Sequence, residues 1–268
     1  RPRRPPRSRD ACVGPATTTY VPSAWEARWT ADMAALDARN KVCDFMARHE
    51  ADADAWLDAV ARRQVTGDDR APGAVMSTFV RECALEGGRS RRVVDAIEPL
   101  VGHLRHPHAL PACMPAGRRG VGIEDRGYLL LAAPPAHRRR AFLFDAGTGA
   151  FNSSLAWFVA EYGKLGVEFD EIHAWEAKPL DAAEYWARVP AAVVNRLHFY
   201  NAPVVTHASP MNPLQVIRER AAPGDFVVFK LDIDTNAVED ELVRQLQDDD
   251  ALRGRVSELF YESHYESA

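Results

Sequence analysis

The residues best suited to chemistry lie near the middle of the chain, where an apolar segment runs into two glycines. Phe142-Leu-Phe-Asp145-Ala-Gly147-Thr-Gly149 has the form of a buried strand and a tight turn, and a helical pattern follows it. Glycines let the backbone turn sharply and approach a ligand closely, and a helix N-terminus presents free N–H groups. The segment predicts a nucleotide-binding turn, although Asn152 replaces the third glycine of Gly-x-Gly-x-x-Gly. The alternative is an ordinary tight turn between a strand and a helix.

Two acidic residues bear on the class of nucleotide. Asp145 stands two positions before the first glycine, where dinucleotide-binding turns usually have an apolar residue. S-adenosyl-L-methionine (SAM) carries an ammonium and a sulfonium cation, which a carboxylate at this strand end would stabilise. Glu176 ends the next predicted strand, where an acid can accept hydrogen bonds from both ribose hydroxyls of a nucleotide. Asp145 therefore favours SAM, whereas Glu176 fits SAM and NAD equally. The alternative for Glu176 is a surface residue in the turn that follows the strand, with no ligand.

Polar residues also end two later predicted strands. Asn201 could reach an adenine edge or act as an ordinary turn residue. Asp232 and Asp234 could hold substrate, accept a proton or bind a divalent cation, because ligands bind at the carboxyl ends of parallel strands. We expect no metal, since only Glu262 and His264 are nearby candidates for further ligands. Asp232 or Asp234 is the predicted general base, with His264 in reserve.

Strands and helices alternate after residue 127. The predicted strands are Tyr128–Ala132, Ala141–Asp145, Glu171–Glu176, Leu197–Asn201, Phe226–Asp232 and Val256–Tyr261, and the predicted helices are Asn152–Tyr162, Leu180–Trp186, Pro213–Ala221 and Asn236–Gln247. Short apolar strands between amphipathic helices predict a parallel sheet covered on both faces. We therefore expect a Rossmann-like, doubly wound α/β domain over residues 123–268. A full doubly wound sheet often has more strands, so this domain is expected to be truncated or completed by another segment.

The first part of the chain has a different pattern. Residues 1–22 begin with an Arg/Pro-rich stretch that can bury little surface, so we expect a disordered tail. Residues 23–122 are expected to form a mainly α-helical region and a linker. Ser23 and Glu26 have the spacing of a helix-capping box. The other helices predicted in this region are Val75–Leu85, which Gly87 and Gly88 would end, and Arg91–Leu104.

Composition limits the classes of partner. The net charge of −5 and a pI near 6.0 give no basic field for nucleic acid. A membrane span would need about 18 consecutive apolar residues, and the chain has no such run. The four cysteines, Cys12, Cys43, Cys83 and Cys113, fit either two disulfides or buried thiols. The compartment that would decide between them, the cytoplasm or the lumen of the secretory pathway, is left open by the sequence.

The strand ends together resemble the SAM-dependent methyltransferase superfamily over roughly residues 126–262. The closest resemblance is to the FkbM-type branch, whose fourth strand has a Lys-Ile-Asp-Val-Glu-Gly pattern. Lys230-Leu-Asp232-Ile-Asp234-Thr stands at that place here. The chain departs from the branch in its glycine loop, where Gly147-Thr-Gly149-Ala-Phe replaces Gly-Ala-Asn-x-Gly.

The resemblance implies a role for each candidate residue. Asp145, Gly147 and Gly149 would contact the methionine part of SAM. Glu176 would hold the ribose and Asn201 would lie near the adenine. Asp232 would lie at the catalytic crevice.

Three hypotheses about function follow from these observations. The leading one is a SAM-dependent methyltransferase acting on a hydroxyl of a small molecule or glycan, in which the protein supplies orientation and a general base. An NAD-dependent oxidoreductase is an alternative, which Glu176 permits. A further alternative is a non-catalytic nucleotide-binding module of the same fold.

Overall fold

The computed structural model describes residues 17–34, 76–99, 128, 130, 134–135 and 137–262. The chain divides into two compact units, residues 1–131 and 132–268. Within the described ranges, no helix has the length and apolar character needed to cross a membrane. The predicted nucleotide-binding segment lies in the second unit.

The first unit contains a three-stranded antiparallel sheet. Its described elements are β1 (Thr17–Val21), α1 (Ala24–Ala34), β2 (Ser77–Ala84) and β3 (Ser90–Ile97), with strand order β1-β2-β3. A tight turn joins β2 to β3, closed by the Leu85 N–H, which donates to the Arg89 carbonyl at 2.8 Å. Gly87 and Gly88 within this turn have φ of 83° and 76°.

This sheet corrects three predictions. The described parts of the predicted helices Val75–Leu85 and Arg91–Leu104 contain β2 and β3, while residues 75 and 100–104 lie outside the described residues. β1 lies inside the segment 1–22 that was expected to be a disordered tail. Glycines at positive φ end helices and also form hairpin turns, so the Gly87-Gly88 pair fitted both. The strand form prevails because β2 pairs along both of its edges, and because β-branched residues, namely Thr78, Val80, Val93 and Val94, favour extended backbone.

The predicted helix start at Ser23 is confirmed. Ser23 Oγ accepts a hydrogen bond from the Glu26 N–H at 3.1 Å. The Ser23 N–H does not donate to the Glu26 carboxylate, as it would in a complete capping box, but to Ser77 Oγ. The Glu26 carboxylate instead accepts hydrogen bonds from the hydroxyls of Tyr20 and Ser77. It thereby joins α1 to both neighbouring strands.

Cys83, in β2, forms a disulfide whose partner lies outside the described residues.

The second unit is an α/β domain with a five-stranded, wholly parallel sheet. Its elements are β4 (Ala141–Ala146), α2 (Ser154–Lys164), β5 (Glu171–Trp175), α3 (Ala182–Ala187), α4 (Ala191–Val194), β6 (Leu197–Tyr200), α5 (Pro213–Arg220), β7 (Phe226–Leu231), α6 (Asn236–Asp248), α7 (Asp250–Arg253) and β8 (Glu258–Tyr261). The strand order is β6-β5-β4-β7-β8, and every adjacent pair is parallel. This order is compatible with a Rossmann-like fold.

Both faces of this sheet are covered. On one face Phe144, Trp175 and Phe229 pack against Leu214 of α5 and Leu242 of α6 in one buried cluster. On the other face the aromatic rings of α2 and α3 lie against strand residues, as in the pairs Phe158–Phe260 and Tyr185–Phe199. Strands buried on both faces read as continuous apolar runs, which is why β4 and β7 were visible in the sequence.

The predicted elements of the second unit agree closely with the structure. No predicted boundary from residue 141 onward differs by more than two residues, the start of β8 at Glu258 against Val256 being one example. The short helices α4 and α7 were not predicted. Of the predicted strand Tyr128–Ala132, only Tyr128 and Leu130 are described, and neither is in a strand.

Candidate functional site

The candidate site lies where the strand order reverses. The chain passes from β4 outward to β5 and β6, and then returns to the other side of β4 as β7. At such a switch point the loops leaving two adjacent strands separate and open a crevice at the carboxyl ends. Asp145 is paired with Lys230 in register across this junction, so the predicted glycine turn and the predicted acidic loop are neighbours.

The glycine turn is held against the end of β5. The N–H groups of Gly147 and Thr148 both donate to the Trp175 carbonyl at 3.0 Å. Gly147 has φ of 83°, and a Cβ at this position would overlap the backbone carbonyl of Asp232. Gly149 has φ of 61° and more room, with only Ser153 Oγ at 3.3 Å from a Cβ. Glycine is therefore needed at Gly147 so that β4 and β7 can lie close together.

Glu176 directly follows β5 and faces the glycine turn. One carboxylate oxygen accepts from the Gly149 N–H at 2.8 Å, and the other accepts from the Lys178 N–H at 2.7 Å. A carboxylate offers about four acceptor positions, so two remain for a ligand. The acid at the end of β5 and the glycine turn after β4 are thus in direct contact.

A buried lysine joins the ends of β4 and β7. Lys230 Nζ lies 3.3 Å from Asp145 Oδ1 and 3.3 Å from Asp232 Oδ2, and it donates to the Gly147 carbonyl at 2.7 Å. The Asp145 side chain is 0% exposed and that of Lys230 is 1% exposed, whereas Asp232 is 21% exposed. The other Asp145 oxygen accepts from Ser154 Oγ at 3.0 Å. Of the two acids, Asp232 is therefore the one that faces the crevice.

Asn201 organises the loop after β5. Its amide nitrogen donates to the carbonyls of Glu176 at 2.8 Å and Lys178 at 2.7 Å, and its oxygen accepts from the Leu180 N–H at 2.8 Å. The side chain is exposed, but both of its N–H donors already have backbone acceptors. In this arrangement Asn201 fixes the loop that carries Glu176.

The acidic loop after β7 begins helix α6. Asp234 is exposed and has φ of 55°, a left-handed conformation that Asp tolerates better than most residues. The Ile233 N–H donates to the buried Glu239 carboxylate at 2.8 Å. Glu239 was not among the predicted site residues, although its place in the first turn of a helix after an acidic loop is a signal for it. His264, the reserve base, lies outside the described residues.

Two hydroxyls beside this site are buried without a hydrogen-bond partner. They are Thr148 Oγ1, in the glycine turn, and the Tyr185 hydroxyl of α3. Burial, and then the charge of Asp145, raise the pKa of Tyr185 well above its usual value. Buried polar atoms without partners are rare in folded proteins, so these two hydroxyls mark places where a ligand or an ordered water would be stabilised.

A second cluster of ionisable side chains lies towards the amino-terminal ends of β5 and β6, away from the candidate site at the carboxyl ends. Ligand atoms of Glu171, His173 and His198 are within 4.8 Å of one another, which could accommodate a metal ion. However, Glu171 also accepts from Arg220 at 2.9 Å, and the rings of His173 and His198 are stacked 4.5 Å apart at 9°. Parallel imidazoles direct their lone pairs along parallel planes, and the guanidinium competes with a cation. We therefore interpret this cluster as a packed hydrogen-bond network.

Burial and hydrogen bonding shift the pKa values of His173 and Glu171 in this network. Burial lowers the pKa of His173 to about 4, although its hydrogen bond to Glu171 acts in the opposite direction. Burial alone would raise the pKa of Glu171, but hydrogen bonds from His173 and Arg220 bring it below its ordinary value. The neutral imidazole and the ionised carboxylate are therefore the native forms.

Comparison with known proteins gives no relative from which a role could be transferred. The chain matches no protein-family model, no curated protein and no solved structure.

Proposed function

We propose that the second unit binds SAM at the switch point and transfers its methyl group to a hydroxyl of a small molecule or glycan. The observation that carries the proposal is the charge of the site. Among the described residues, four carboxylates lie at the ends of β4, β5 and β7, those of Asp145, Glu176, Asp232 and Asp234, and Lys230 is paired with Asp145 and Asp232. A surplus of carboxylates stabilises a cationic ligand and repels a pyrophosphate.

The residues present fit this cofactor. The two hydroxyls of Thr148 and Tyr185 are buried without partners beside the same strand ends. A polar ligand would supply the hydrogen bonds that these atoms lack. The two remaining acceptor positions of the Glu176 carboxylate suit a pair of ribose hydroxyls.

Each residue has a role in the proposed reaction. SAM supplies an electrophilic methyl group on a sulfonium. The glycine turn and Glu176 would hold the cofactor, and Asp232 would orient the acceptor hydroxyl and take its proton, because its carboxylate is exposed at the crevice. Asp145 would act through Lys230, since it is completely buried. Asn201 would support the loop of Glu176 and contact the ligand only secondarily.

The same charges argue against a dinucleotide. NAD carries a pyrophosphate, which in this fold lies against the glycine turn and the following helix N-terminus. Here the carboxylate of Glu176 accepts from the Gly149 N–H of that turn at 2.8 Å. A pyrophosphate would have to displace this carboxylate and would meet its negative charge.

A non-catalytic module of the same fold is the second candidate. It is favoured by the contacts of Asp145 and Asn201, whose polar groups are already engaged by Lys230 and by backbone groups. Such a module would bind the nucleotide without turnover.

The disulfide of Cys83 is typical of the secretory pathway, since disulfides persist in oxidising compartments. It therefore agrees with a glycan as the acceptor in the leading proposal.

Methyl transfer can be measured without knowing the acceptor. The protein is incubated with SAM labelled in its methyl group and with a panel of glycans and small alcohols, and labelled methyl ethers are sought. We expect transfer to at least one acceptor, reduced roughly 100-fold or more in Asp232→Asn. The control is Asp248→Asn, an exposed acid at the C-terminal end of α6, which should leave transfer unchanged. Binding of SAM without transfer to any acceptor would favour the non-catalytic module.

A further inference from the structure

Asn152 lies in the turn that leads from the two glycines into α2, and it begins the tripeptide Asn152-Ser153-Ser154. Asparagine followed by any residue except proline and then by serine or threonine is the acceptor sequence for N-linked glycans. The sequence contains six asparagines, and Asn152 is the only one that meets this rule. The tripeptide therefore marks one position for this modification.

The structure leaves the side chain of Asn152 accessible. An N-linked glycan replaces one of the two hydrogens on the amide nitrogen and needs open solvent around it. Asn152 is exposed, and its amide takes part in no hydrogen bond of the described residues. Asn201 and Asn212, by contrast, each donate both amide hydrogens to backbone carbonyls. A glycan at Asn152 would therefore break no hydrogen bond of the fold.

Ser154 supplies the hydroxyl that the acceptor sequence requires. In the folded chain this hydroxyl donates to the buried Asp145 carboxylate at 3.0 Å. N-linked glycans are transferred while the chain enters the lumen of the endoplasmic reticulum, before the domain has folded. The hydroxyl is then free for the transfer and forms its hydrogen bond with Asp145 afterwards, so the two roles are compatible.

We propose that Asn152 is a site of N-linked glycosylation. The donor is an oligosaccharide on a lipid diphosphate. The amide nitrogen forms a bond to the first sugar carbon, the bond from that carbon to the diphosphate breaks with its electron pair on the phosphate oxygen, and the amide loses one proton.

The disulfide of Cys83 independently favours the compartment in which this transfer occurs. Disulfides persist in oxidising compartments such as the lumen of the endoplasmic reticulum. The inference does not depend on the proposed function, because neither the acceptor sequence nor the disulfide involves SAM. Failure to bind SAM would leave it intact.

The test expresses the full chain behind a cleavable signal peptide in cultured eukaryotic cells and examines the luminal and secreted fractions. We expect a mass increase of one glycan, which peptide-N-glycosidase removes while converting the asparagine at position 152 to aspartate. Mass spectrometry of the peptide that contains this position detects the conversion. Protection of Cys83 from alkylation without reductant shows that the chain has entered the oxidising lumen.

Four variants make the result specific. Asn152→Gln and Ser154→Ala should both abolish the mass increase, whereas Ser154→Thr keeps the acceptor hydroxyl and should retain it. Asn195→Gln is the matched control, because Asn195 is exposed but has leucine two positions later, and it should retain the glycan. Transfer precedes folding, so a variant that folds poorly still reports on the acceptor.

Two results would overturn the inference. One is an unmodified Asn152 in wild-type chains whose Cys83 is protected from alkylation. The other is a mass increase that persists in Asn152→Gln, which would place the glycan elsewhere. A glycan lost in Asn152→Gln and Ser154→Ala but kept in Ser154→Thr supports the inference, because the last two variants differ in whether a hydroxyl is present.

Discussion

At the scale of single residues, Asp145 shows how a role depends on neighbours. The sequence suggested that this carboxylate meets a cationic ligand directly, but it is 0% exposed and paired with Lys230. Asp232, in the adjacent loop, is 21% exposed and shares the same lysine. The negative charge that a ligand would meet is therefore displaced from β4 to β7, while the total charge of the strand ends still favours a cation.

The two glycines of the turn should respond differently to alanine. Gly147→Ala places a Cβ against the Asp232 carbonyl at a φ of 83°, so β4 and β7 must move apart. We expect a loss of about 3 kcal/mol in the free energy of unfolding, as for a strained, overpacked position. Gly149→Ala should cost about 1 kcal/mol, since only Ser153 Oγ is near.

Denaturant unfolding of both variants checks this order. Gly163→Ala is the control, because this helical glycine has nothing within 4 Å of an added Cβ, and alanine should stabilise α2 by about 0.5–1 kcal/mol. Equal losses for Gly147→Ala and Gly149→Ala would contradict the proposed close approach of the two strands.

His173 should make stability depend on pH. Its pKa is about 4 in the folded protein against an ordinary 6.5, so the unfolded chain binds the proton more readily. This contribution to stability is fully present above about 6.5 and is lost as the pH falls towards 4, by about 1.4 kcal/mol per pH unit.

Unfolding free energies measured from pH 7 to pH 5 test this prediction. His173→Phe preserves the stack with Phe144, and His173→Gln preserves a polar group, but neither side chain titrates in this range. In both variants the unfolding free energy should change less steeply with pH than in the wild type. An unchanged slope in both would show that other groups cause the pH dependence.

At the scale of elements, the caps decide how firmly helices are held on the sheet. Asn212 is buried at the N-terminus of α5, where its oxygen accepts from the Leu214 N–H at 2.9 Å and its nitrogen donates to the Thr206 carbonyl at 3.0 Å. Asn212→Ala removes the cap and leaves buried backbone groups without partners. We expect a loss of about 2 kcal/mol.

Asp181→Ala is the matched comparison for this cap. Asp181 caps the short helix α3 by accepting from the Glu184 N–H at 2.8 Å, but it is exposed to solvent. Water can replace the lost hydrogen bond there, so the loss should be about 1 kcal/mol or less. A larger loss for Asp181→Ala than for Asn212→Ala would contradict the importance of burial.

The elements also show what the sequence can and cannot predict. The second unit was predictable because its apolar strands, turn residues and helical patterns follow one another along the chain, as in the segment from Phe142 to Lys164. In the first unit, Gly87 and Gly88 fitted a helix end and a hairpin equally, and the pairing of β2 with β1, about 60 residues away, decided the outcome. The partners of Asp145 and Asn201 were equally non-local, since they depend on which strands become neighbours.

At the scale of the whole molecule, the proposed ligand site lies in the second unit, at the point where its strand order reverses. The sheet and the glycine turn would serve either SAM or a dinucleotide, whereas the Glu176 carboxylate, which accepts from the Gly149 N–H at 2.8 Å, weighs against a pyrophosphate at this turn. The surplus of carboxylates around Lys230 is what favours SAM. Binding of the two cofactors to the intact chain is therefore the property that separates the proposals.

Calorimetric titration of the wild-type chain with SAM and with NAD, at the same salt concentration, tests this claim most directly. We predict that SAM binds and that NAD binds at least tenfold more weakly, and that Glu176→Gln weakens SAM at least severalfold because a carboxylate acceptor is lost. Tighter binding of NAD, or no binding of SAM by the folded protein, would contradict the account.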